Sequence, residues 1–376
     1  MILPRLVLSP ALLLAIIAII NGHGQLAWAA RRELGDMFRY SVDPNAHGGH
    51  CSAYGEAKLN ALFDDAYVLA GTAIQATLDL EDATAKTTDE ATRLINTLFF
   101  RPSEEDLAII QSKMHGVRNW MEVGGRTNNG QNRRRPFLFC GDKWRLRETM
   151  STQMKDASGN PMFKENGEPY LIKDSREIRN RRKEAAQEWN KDPKFIYPHW
   201  SEALMAYVFD KKYAEDPTLG PCTNVDGVVA FTFNEGSFGA ITLCIDHKYF
   251  KAGRLRSVEA SALPSKLFEN NQPPSNKDEV QSISKVVPAG RIAYHELFHL
   301  YWGSEMDGVE EYDSQRMAGN KLRKNGKRFT KSKAMKNPET YALAAVAYDY
   351  TLHVTHTTKK GTYPVEFYTG FCTYEM

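Results

Sequence analysis

The chain has no second long apolar run, no N-x-S/T sequon and no strong excess of either charge. Beyond Ile20 no stretch reaches the length and apolarity of a bilayer-spanning helix, which excludes a polytopic helical membrane protein. With 48 Lys and Arg against 46 Asp and Glu, the net charge is +2, so no overall electrostatic preference for nucleic acid is expected. Without a sequon, N-glycosylation is not expected. Cysteine is sparse, at five residues in 376. An odd count leaves one thiol free or paired outside the chain. Cys222 and Cys244 bracket a hairpin-like stretch and are the expected local pair.

The one long apolar run is at the N-terminus. Arg5 supplies a positive start, Leu6 to Ile20 is almost entirely apolar, and Ala27-Trp28-Ala29 offers small residues at a cleavage position. A membrane anchor is the rival reading, but the run is near the short end for spanning. The expectation is a signal peptide over residues 1–29 and a secreted chain over 30–376. That remainder reads as one domain, helical over about 50–190 and catalytic over about 195–376. An oxidising destination also favours cysteine pairing.

Apolar residues recur at helical spacing from Leu59 through Leu62, Phe63, Ala66, Leu69 and Ile74. Ser103-Glu104-Glu105-Asp106 is a helix-start pattern ahead of Leu107, Ile110, Met114 and Trp120. Lys155 to Tyr170, rich in Gly, Pro and Asn, reads as an exposed hairpin or loop. Asp174 to Asp192 reads as a charged, solvated helix, and the region is taken as an insertion within one domain. Gly227–Phe233 and Ala240–Ile245 are β-rich runs joined by a turn, an antiparallel hairpin. A substrate can add to such an edge as another strand; a core hairpin with no substrate contact is the plain alternative.

The feature that decides the functional reading is His295-Glu296-Leu297-Phe298-His299. On a helix, residues four apart lie one above the other, so both imidazoles can grip one metal ion. Glu296 then stands where its carboxylate can take a proton from a metal-activated water. The competing reading is a buried amphipathic helix with two satisfied histidines. A catalytic zinc site needs a third protein ligand and an open position. The downstream carboxylates are Asp307, Glu310, Glu311, Asp313 and Glu339, and Gly303 and Gly308 allow the chain to turn back. His47 and His50 beside Cys51 form a weaker metal pattern, discounted because Cys51 is expected in a disulfide.

This region resembles the deuterolysin-type metallopeptidases, the aspzincins, and especially fungal proteins with a lysine-specific metallo-endopeptidase-like domain. The resemblance rests on His295-Glu296-x-x-His299, Asp307, Tyr312 and Asn337-Pro338-Glu339-Thr340-Tyr341, with Ile241-Thr242-Leu243-Cys244 and Tyr249-Phe250 upstream. Cys140-Gly141-Asp142-Lys143-Trp144 is a fainter match. It covers roughly residues 227–350. Two departures stand out: Asp307 precedes Tyr312 by five residues rather than three, and Asp313 replaces a glycine. The resemblance implies an α+β, mainly helical zincin-like fold with a small antiparallel sheet beside the metal helix. It implies one Zn²⁺ per chain on His295, His299 and Asp307; the departures leave Glu310, Glu311 or Glu339 as alternative third ligands. Glu296 is then the general base, and Tyr312 a donor to the oxyanion.

Two further readings stay open here. The run from Lys321 to Lys336 holds eight cations and no acid, fitting either an exposed mobile loop or a patch for anionic polymers. Asn337 and Pro338 are expected to cap and start a helix whose apolar face carries Tyr341, Leu343, Ala344, Ala345 and Ala347. The sum is a secreted, monomeric zinc endopeptidase acting on peptides or proteins, with no nucleic-acid or membrane partner. Its rival is a secreted binding module on a catalytically inactive zincin scaffold; a zincin of another clan with a glutamate ligand is the third possibility.

Overall fold

The computed structural model describes residues 30–46, 48–125, 135–209, 220–224, 228–235, 238–251, 268–269, 282–283, 286–306, 311–319 and 326–374. The expected signal segment, His47, Asp307 and Glu310 lie outside these. The fold is α+β, about 46% helix with small sheets.

Six helices of eleven or more residues carry it among the described residues: α1 (Glu56–Glu81), α2 (Thr88–Leu98), α3 (Glu104–Val123), α4 (Arg176–Trp189), α5 (Gly290–Trp302) and α6 (Pro338–His353). The α1 periodicity read from sequence is real: Leu59, Leu62, Phe63, Ala66, Leu69 and Ile74 are all buried. Helix α3 starts as its sequence indicates. The Ser103 hydroxyl accepts from the Asp106 amide, and the Asp106 carboxylate accepts from the Ser103 amide. Gly124, at φ 80°, ends α3 in the left-handed conformation glycine favours.

Helix α6 departs from the expected amphipathic helix. Every residue from Pro338 to Thr351 is buried, so it runs through the core against α1, α2 and α5. Asn337 holds the cap position, but its side chain makes no cap bond. Its amide instead donates to the Glu311 carbonyl at 3.0 Å and the Thr340 hydroxyl at 3.1 Å, fastening the segment after α5 to α6.

Four strands on the N-terminal side are β1 (Phe137–Cys140), β2 (Leu146–Arg147), β3 (His199–Ser201) and β4 (Ala206–Val208). The expected hairpin forms as β5 (Ala230–Glu235) and β6 (Phe238–Leu243), antiparallel with Thr232 opposite Ile241. The sheet order is β1-β6-β5, and β1 joins parallel, so the sheet beside α5 is mixed rather than purely antiparallel. Its side chains alternate between two cores. Leu138, Ile241 and Leu243 face the helices, while Phe137, Phe139 and Ala240 pack with Trp144, Leu204 and Val208. That leaves β5 on the sheet edge, packed against α5.

The charged α4 is not solvated all round. Ile178, Ala185 and Ala186 join Ile172, Ile196 and Phe209 in a small separate core, beside the antiparallel β2-β3-β4 sheet. Residues 153–171 form a ribbon of isolated bridges, as the Gly- and Pro-rich stretch suggests. Disulfides join Cys51 to Cys140 and Cys222 to Cys244, the second being the expected local pair; Cys372 is buried and free. The described part of the basic run, residues 326–336, is anchored rather than loose. Phe329 and Ala334 are buried, and the Lys331 ammonium reaches the Asp106 carboxylate at 2.9 Å. Among the described residues no helix is long and apolar enough to cross a membrane.

Candidate active site

Helix α5 presents its first turn to α1 at close quarters. A Cβ added at Gly290 would lie 2.3 Å from the Asp65 Cβ and 2.5 Å from the Ala66 amide nitrogen, so only glycine lets the helices approach this closely. Gly303, at φ 51°, ends α5 where the sequence places its stop. Between these glycines lie His295, Glu296 and His299.

The two imidazoles have ring centroids 5.1 Å apart, tilted by 55°. Two histidines bonded tetrahedrally to one zinc at ordinary Zn–N lengths put their centroids about 5.2 Å apart. The centroid spacing matches that of two histidines sharing one ion. His295 is buried, and its Nδ1 lies 3.0 Å from Oε2 of Glu339, the second residue of α6. Burial, then the neighbouring His299 and Arg291, hold the His295 pKa well below the usual histidine range. A neutral ring follows, with Nδ1–H donated to Glu339 and Nε2 left as the acceptor nitrogen. That is how an outer carboxylate orients a metal-binding histidine.

The other Glu339 oxygen accepts from the Arg291 guanidinium, one turn before His295 on the same face of α5. Arg291 Nε is buried without a hydrogen-bond partner. Glu339 thus sits behind His295, engaged on both oxygens, instead of offering a free carboxylate as third ligand. Glu311 is also occupied. Its Oε1 accepts from the Asp313 amide at 3.2 Å and from Arg316 at 3.4 Å. Asp313 caps the short helix Ser314–Met317. Among the described residues no three His, Cys, Asp or Glu side chains gather as a metal-holding group. Asp307, the third ligand favoured from sequence, falls in the 307–310 stretch outside them.

Glu296 is buried, and β5 holds it. The Thr232 hydroxyl donates to Glu296 Oε2 at 2.7 Å and lies 3.1 Å from the Glu296 carbonyl. Farther along the strand, the Asn234 amide donates to the Leu300 carbonyl at 3.2 Å. Tyr312 stacks on His295 with centroids 5.7 Å apart and planes 17° from parallel, and is 52% exposed. Four of the five residues singled out from sequence, His295, Glu296, His299 and Tyr312, are brought together.

Sequence reasoning missed Thr232 and Arg291, and it did not foresee the contact of Glu339, one of its alternative third ligands, with His295 Nδ1. The Arg291–His295 spacing of four was readable on one helix face. Nothing in sequence pairs Thr232 with Glu296, because that contact depends on how β5 crosses α5. No family model, curated protein or solved structure matches the chain.

Proposed function

We propose that the chain is a secreted zinc-dependent endopeptidase of the deuterolysin-like kind. The observation that carries the reading is the His295–His299 pair at a tetrahedral-zinc spacing, with His295 Nδ1 tied to a buried carboxylate. His295 and His299 would hold the ion, with Asp307 as the third ligand. Zinc, when bound, supplies a Lewis acid that polarises the scissile carbonyl and acidifies the attacking water.

The chain's own groups do the rest. Glu296, oriented by Thr232, accepts the water proton and returns it to the leaving amine. Tyr312, against His295 and open to solvent, donates a hydrogen bond to the developing oxyanion. Substrate enters as a strand along the β5 edge, the side of the sheet that borders α5. The two disulfides fit an oxidising compartment, in keeping with secretion.

Metal content after dialysis against buffered zinc tests the reading. One zinc per chain is expected for the wild type, and well under half that for folded His295→Ala or His299→Ala. Equal zinc in all three would contradict it.

A further inference from the structure

A second constellation lies in the α4 lobe, away from the metal helix. A cavity of about 700 Å³ opens there, lined by Arg147 from β2, Lys173 from the turn before α4, Arg182 from α4, and Lys194 and Tyr197 beyond it. Thr149 and Ser151 add hydroxyls, and among the described residues no carboxylate lines the cavity. Its volume falls in the range of small-molecule sites.

Four cations converge on the cavity, and an anion there would lower their mutual repulsion. Asp192, 3.0 Å from Lys194 and also acting on Arg182, and Asp174, beside Lys173, offset part of that charge from outside the lining. The two arginines are the telling pair. Their guanidinium carbons lie 4.3 Å and 5.6 Å from the Tyr197 ring centroid, so one aromatic side chain positions both. Arg182 Nη2 donates to the Pro193 carbonyl, yet Arg182 Nε and Arg147 Nη1 are buried with no hydrogen-bond partner. Buried guanidinium donors of this kind are ordinarily satisfied. Burial also lowers the Arg182 pKa, against the raising effects of Tyr197 and Asp192.

The walls are built before any ligand arrives. The Lys173 amide donates to the Met150 carbonyl at 2.9 Å, the Ile172 amide to the Thr152 carbonyl at 3.0 Å, and the Glu148 amide to the Pro198 carbonyl at 2.9 Å. These bonds tie the Lys173 turn and β2 to the segments around them, so the arginine and lysine stems start from fixed backbone.

We propose that this cavity binds a small organic anion carrying a phosphate or sulfate monoester, gripped by Arg147, Lys173, Arg182 and Lys194 against Tyr197. Planar guanidinium forks match the oxygens of a tetrahedral dianion, and lysines add charge. Tyr197 and Met150 leave a less polar wall for the ester's organic part. The site stands apart from the metallopeptidase reading and holds whether or not the chain cleaves peptides.

Isothermal titration of the purified chain with adenosine monophosphate, inorganic phosphate and inorganic sulfate tests it. Saturable one-site binding is expected, weakening as salt rises. Lys173→Gln alters an exposed side chain and keeps the fold, and it weakens binding at least fivefold. Arg182→Gln weakens it at least tenfold, with melting temperature followed alongside. Tighter binding of the phosphates than of sulfate assigns a phosphate ester, and the reverse order a sulfate ester. No saturable binding of any probe at millimolar concentration overturns the proposal, as does binding unchanged in folded Lys173→Gln.

Discussion

Glu339→Gln isolates the carboxylate behind His295 on α5. Glu339 is about 1% exposed and serves two donors, the His295 Nδ1–H at 3.0 Å and the Arg291 guanidinium. A glutamine of the same shape has one acceptor oxygen, so one of the two bonds is lost along with the charge that balances Arg291. A hydrogen bond to a charged group contributes about 1.5–3 kcal/mol. Loss of an outer-sphere carboxylate weakens metal binding by about 10–100-fold, equivalent to about 1.4–2.8 kcal/mol; the two estimates agree.

The assay is zinc competition against a chromophoric chelator at neutral pH, with circular dichroism confirming the fold. Activity lost at limiting zinc should largely return at saturating zinc, because both Glu339 oxygens are engaged by His295 and Arg291. Zinc affinity within twofold of wild type would refute the orienting role. The companion Glu339→Ala leaves Arg291 facing no anion and should cost about 3 kcal/mol of stability, the low end for a broken buried pair because the Arg291 side chain is 18% exposed. Pairing it with Arg291→Met should recover part of that loss.

Other consequences are as direct. Thr232→Val removes the hydroxyl that steadies Glu296 and should lower kcat about tenfold, with KM and melting temperature nearly unchanged; an unchanged kcat would remove Thr232 from the mechanism. Gly290→Ala drives a methyl into α1 backbone and should destabilise by about 1–3 kcal/mol in urea unfolding. The pH dependence of the metal-free chain has a defined sign. The His295 pKa is depressed by burial, so the unfolded chain binds a proton there that the native one does not. Stability should therefore fall as pH drops through about 6.5, by up to about 1.4 kcal/mol per unit for this histidine, and His295→Gln should flatten that slope.

Local signals in the sequence carried far. The periodicity of α1, the Ser103 capping pattern, the Gly303 stop and the β5–β6 hairpin each depend on neighbouring residues, and each is present as read. Long-range pairings were not legible. Nothing in Phe137–Cys140 shows that it runs parallel to β6, since that partner lies about a hundred residues away in sequence. Helix α6 carries Glu339, Tyr348 and Asp349 yet is buried on all sides, because each of those groups finds a polar partner from a distant or neighbouring turn. The same holds at the site. The His295–His299 pair is a four-residue pattern, while Thr232 reaches Glu296 and Glu339 reaches His295 from 64 and 44 residues away.

The central claim is that α5 performs metal-assisted peptide hydrolysis with Glu296 as base. Its most direct test is digestion of an unfolded protein by the zinc-loaded chain and by Glu296→Gln of matched zinc content, with products read by mass spectrometry. New peptide termini with the wild type and none with the variant are the predicted result. Identical products from both, or no cleavage by the folded, zinc-loaded wild type, would contradict the account.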